Sequence, residues 1–150
     1  MSVERAIREL IQLTLSDDHR PDCLRCVDEF LRVAADVHKI HCCFAGEGKL
    51  RFQVPEEPAW EVELGRAKSK LRMMCARLSV LCNETGGSDV TVFGGLGIIR
   101  KEVPVGVNNS LDNSRSRAVS HPSAQRPQLV TWEVCFQNTP AQQEFTICLQ

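Results

Sequence analysis

The sequence predicts an α+β fold: three helices packed on one face of a mainly antiparallel sheet built from hairpins, in the order ααββαββ-loop-ββ. Three observations point there. Apolar residues recur at helical spacing in the first half of the chain and at strand spacing in the second. No strand–helix–strand unit repeats, which argues against a parallel sheet. At least four of the eight cysteines fall in line with leucines on the helical stripes, where cysteine acts as a small hydrophobe.

The first helix is predicted over residues 2–15, because Val3, Ile7, Leu10, Ile11 and Thr14 share one face. Ser2 suits the cap and Glu4 the positive end of the helix dipole. Ser16-Asp17-Asp18-His19-Arg20-Pro21 breaks the pattern. A second helix follows from Cys23 to about Ile40, capped by Asp22. Its stripe is Cys23, Cys26, Val27, Phe30, Leu31, Ala34 and Val37.

His41 to Phe44 and the alternating Leu50, Phe52 and Val54 form a hairpin about Ala45-Gly46-Glu47-Gly48. The third helix is expected from Pro58, with Glu56, Glu57, Glu61 and Glu63 near its start and Gly86-Gly87 as its stop. Trp60, Leu64, Ala67, Leu71, Met74, Cys75, Leu78, Leu81 and Cys82 make its stripe. Trp60, Val62 and Leu64 also alternate as a strand would; the continuous stripe favours the helix.

Val90 to Phe93 and Ile98 to Val103 read as strands around Gly94-Gly95-Leu96-Gly97. A polar stretch at 104–128 is expected to be a long loop, mobile or ordered by a partner. The last hairpin pairs Val130, Trp132, Val134 and Phe136 with Phe145, Ile147 and Leu149.

The chain of 150 residues is long enough for one domain over 1–150 that buries roughly 70% of the surface its unfolded chain exposes. A net charge of −1 and the absence of tyrosine give no support to nucleic-acid binding. No signal peptide or membrane span is expected, so a reducing cytoplasm is the anticipated setting and the cysteines are anticipated as thiols.

Function is less legible. Val62, Ser69, Met73, Ala76 and Val80 would form a small or apolar back to the third helix, where a surface helix normally shows water a polar side. Either the domain sandwiches that helix or its back meets another chain. With no catalytic motif, the leading expectation is a protein-interaction or accessory domain without a cofactor, acting on a protein partner or by self-association. The alternative is a structural zinc protein. Cys23-x-x-Cys26 followed by His38, His41, Cys42 and Cys43 offers thiolate and imidazole ligands of the kind tetrahedral zinc needs. Against it, the cysteine pair continues a helical stripe instead of sitting on a tight turn. Cys23 near a helix start also raises a redox reading, since the dipole would lower its pKa. Arg100 and Lys101 are a weak anion-binding pair after the glycine run, which lacks the Lys-Ser or Lys-Thr of a phosphate loop. An enzyme with no recognisable motif is the third reading.

Overall fold

The computed structural model describes residues 2–86, 89–103 and 127–150. Within them the elements are α1 (Val3–Thr14), α2 (Cys23–Val37), β1 (Lys39–Gly46), β2 (Lys49–Gln53), β3 (Trp60–Glu63), α3 (Ala67–Thr85), β4 (Asp89–Thr91), β5 (Gly94–Val103), β6 (Gln128–Asn138) and β7 (Gln143–Leu149). The α+β class holds. Residues 104–126 of the expected polar loop and Gly87 of the expected helix stop lie outside the described residues.

The seven strands form one sheet in the order β3-β2-β1-β7-β6-β5-β4, antiparallel at every pairing. Two meanders, β1-β2-β3 and β4-β5-β6-β7, are thus joined side by side through β1 and β7. The chain must pass from one edge strand, β3, to the other, β4, and α3 makes that crossing. Its 19 residues give a helix about 28 Å long. Six strand spacings make the sheet about 29 Å wide. Accordingly α3 meets β1, β2, β4, β5, β6 and β7 on its way. α2 packs on β1 and β7 and against α3, and α1 packs against α2.

Strand alternation defines the core. Cys42 faces Phe52 on one side and Phe145 on the other, and Phe136 and Trp60 continue that row. Ile40, Ile147 and Val134 form the next. All are buried beneath the helices. Phe30 of α2 stacks on Phe52 and meets Phe145 edge-on, each with ring centroids 5.7 Å apart, and Phe52 stacks on Trp60 at 6.0 Å. Such aromatic pairs add about 0.5–1.5 kcal/mol each beyond their area burial.

Both expected caps are present. Ser2 Oγ accepts from Arg5 N–H at 3.2 Å and Asp22 Oδ1 from Arg25 N–H at 3.0 Å. α2 stops at Val37 because His38 takes a left-handed conformation with φ of 72°, releasing Lys39 and Ile40 into β1.

Two elements correct the sequence reading. Trp60–Glu63 is a strand, so α3 begins only at Ala67 after Arg66 turns left-handed at φ 54°. The hydrogen bonds that β2 offers along its outer side decide this. β3 satisfies them while Trp60 and Val62 fall opposite Phe52 and Leu50. Glu61 consequently pairs with Arg51 at 2.9 Å across the strands instead of charging a helix start. The second correction concerns the glycine run. Val92 and Phe93 make the turn, and Gly94 to Gly97 already belong to β5. Gly95 has φ of 144°, and a Cβ there would come 2.6 Å from the Asp89 carbonyl oxygen. Close strand approach is what requires it.

Candidate functional site

The back of α3 carries exposed apolar side chains, as does the turn between β4 and β5, where Val92, Phe93 and Leu96 are exposed. The helix buries Leu71, Met74, Cys75, Leu78 and Cys82 against the sheet and α2, with Cys26 Sγ 3.7 Å from Met74 Sδ. On the opposite side, no element among the described residues covers the helix. Met73 and Val80 are each 46% exposed, Ala76 is half-buried between them, and Ser69 is exposed one turn earlier. Spacings of three and four residues set these side chains in one row along the helix. Val62, the fifth residue expected there, is buried on β3 beneath the helix layer. It is a core residue, since the segment that carries it is not helical.

The row is one wall of a shallow groove. The start of α2 supplies the other wall through Pro21, Cys23 and Leu24, and the space between is about 400 Å³. Leu24 is 57% exposed. Three residues before Val27 and seven before Leu31, it continues the edge of the α2 stripe into the first turn of the helix, where it is left exposed. Arg77 also lines the groove, and its Nε is buried without a hydrogen-bond partner.

Asp18 and Lys70 join the loop before α2 to α3. Lys70 Nζ donates to Asp18 Oδ1 at 2.5 Å, and the lysine side chain is only 3% exposed. That hydrogen bond, chiefly, holds the Asp18 carboxyl below its ordinary 3.8. The five cations on and just before α3, Arg66, Lys68, Lys70, Arg72 and Arg77, are therefore not alike. Lys70 is internal and paired, Arg72 donates through Nε to Asn138 Oδ1 at 3.0 Å, and Arg66 and Lys68 face solvent.

The six possible zinc ligands are not brought together. Cys23, Cys26 and Cys42 point into the core, whereas alternation puts His41 and Cys43 on the sheet face opposite the helices. His38 ends α2 exposed. His41 Nδ1 lies 2.8 Å from Thr146 Oγ1. Among the described residues, no group of three or more His, Cys, Asp or Glu side chains is arranged to hold a metal ion.

The thiols are not activated either. Burial pushes Cys23 up to about 11 and Cys26 up to about 12, and Cys42 well above its ordinary 9.0. Desolvation and the neighbouring Asp22 carboxylate raise Cys23, the opposite direction to the lowered pKa that a redox reading needs.

Arg100 and Lys101 cannot share an anion. Neighbouring residues on a strand face opposite sides. Arg100 is exposed on the open face, while Lys101 turns towards the helices and pairs with Asp28 of α2 at 2.8 Å. In the glycine run that precedes them, Gly94, Gly95 and Leu96 are paired on both sides and Gly97 with β6, so the run is strand and not a phosphate-wrapping loop.

No helix among the described residues is long and apolar enough to cross a membrane. No protein-family model matches the chain, and no curated protein matches it.

Proposed function

We propose that this protein works by contact with another protein chain, as an accessory or interaction domain without catalysis of its own, and that the groove between α2 and α3 is the contact surface. The observation that carries the reading is the row Met73, Ala76 and Val80 facing Leu24 across the groove, three of the four at least 46% exposed. Keeping such residues in water gains nothing for the fold. Covering them recovers roughly 25 cal/mol for each Å² of apolar surface removed from water. A reducing cytoplasmic setting goes with the proposal, supported by eight cysteines that remain thiols.

Cross-linking in cells followed by mass spectrometry tests it, using wild type and the variants Met73→Glu and Val80→Glu. Cross-links from a different protein should map to the groove and disappear in both variants, whose melting temperatures should match wild type. Cross-links from a different protein that map elsewhere, or that survive both substitutions, would sink the proposal.

A further inference from the structure

β5 runs on past its neighbour β4. Asp89, Val90 and Thr91 pair with Leu96, Gly95 and Gly94, and from Ile99 to Val103 no strand among the described residues lies along that side. The hydrogen-bond alternation says which groups face it. Asn138 N–H donates to the Phe93 carbonyl at 2.8 Å, one pair before Gly94 and Gln137. The register with β6 then runs unbroken to Val103, so Ile99, Lys101 and Val103 bond to β6 while the N–H and C=O groups of Arg100 and Glu102 point the other way. The side chains of Arg100 and Glu102 stand exposed on the sheet face opposite the helices, and neither is in an ion pair among the described residues.

An unpaired strand edge is a template for another strand. We infer that this stretch pairs with the same stretch of a second copy of the chain, antiparallel and centred on Lys101, so that the sheet continues across a two-fold axis. In that register Arg100 lies opposite Glu102 of the second copy, and Glu102 opposite its Arg100. Each of these pairs exchanges both backbone hydrogen bonds and sets a guanidinium beside a carboxylate. On the helix side, Ile99 falls opposite Val103 and adds a pair of β-branched side chains. Lys101 meets Lys101, but each is already held by Asp28 of its own copy at 2.8 Å. The neighbouring registers fit less well. Hydrogen bonding allows one strand to slide only by two residues, which sets Arg100 against Arg100 or Glu102 against Glu102, like charges directly opposite. The contact is made by a sheet edge and needs nothing from the groove between α2 and α3.

Sedimentation velocity of the purified full chain over a range of concentrations tests it, on wild type, Arg100→Glu, Glu102→Arg and the variant carrying both. Wild type should associate to a dimer. Each single reversal sets like charges opposite one another and should weaken the dimer about tenfold, with the melting temperature of the monomer unchanged. The variant carrying both reversals regains opposite charges and should regain the dimer. An equimolar mixture of the two single variants should do the same, because each then complements the other. A wild type that stays monomeric at every concentration overturns the inference, and so does a dimer indifferent to both single reversals. A dimer weakened by both single reversals but not recovered in the double variant or the mixture overturns the pairing of Arg100 with Glu102.

Discussion

Cys82 of α3 occupies the space that a side chain on Gly97 of β5 would need: a Cβ at residue 97 would fall 2.7 Å from Cys82 Sγ and 2.9 Å from its Cβ. The helix lies this close to β5 because its neighbour there has no side chain. Gly97→Ala should therefore destabilise the fold by about 1–3 kcal/mol, the usual cost of overpacking. Removing the sulfur with Cys82→Ala should recover only part of that loss, since the Cys82 Cβ stays in the way. Urea melts of the two single variants and the double variant would read the coupling directly.

Asp18 and Lys70 give a pH dependence with a definite sign. The folded pKa of Asp18 lies below 3.8, so its contribution to stability is present above that value and is lost as pH falls through the folded pKa. Asp18→Asn should lower the melting temperature at pH 7, because Lys70 loses its charged partner. The gap between variant and wild type should narrow as pH falls through the folded pKa, which lies below 3.8. A gap that is the same at pH 7 and at acid pH would show that the pair does not hold the loop to α3.

The buried cysteines should behave as core residues. Cys75 is fully buried, with its thiol pushed up to about 12 by burial. Cys75→Ala should cost on the order of 1 kcal/mol in a denaturant melt. Chelators should leave the wild-type melting temperature unchanged, because the six Cys and His side chains at 23–43 do not converge. A chelator-induced loss of fold would contradict that placement.

Val62 separates the strand from the helix. On β3 it is 3% exposed and faces Leu50 of β2, so Val62→Asp should lower stability by at least about 2 kcal/mol. Met73→Glu, on the open side of α3, should leave the melting temperature near that of wild type. Equal effects of the two substitutions would refute the assignment of Trp60–Glu63 to the sheet.

What the sequence determined by itself was whatever local periodicity decides. α1 and α2, their caps at Ser2 and Asp22, the stripe from Ala67 to Cys82 and the last hairpin all follow from residues close together in the chain. Burial of the leucine-aligned cysteines followed from the same pattern. Met73, Ala76 and Val80 were legible too, as apolar residues where a helix should be polar.

Tertiary structure decided what depends on distant partners. Trp60, Val62 and Leu64 fit either period, and only the open side of β2 made Trp60–Glu63 a strand. Lys70 is buried on α3, and the exposed carboxylate that pairs with it, Asp18, lies 52 residues away in the chain. The second wall of the groove, with Leu24, came from packing α2 beside α3. The same pleat that buries Cys42 turns Cys43 and His41 to the other side of the sheet, and it separates Arg100 from Lys101. A linear spacing does not specify which residues a pleated sheet sends to opposite faces until the strand itself is known, and the strand is set by its neighbours.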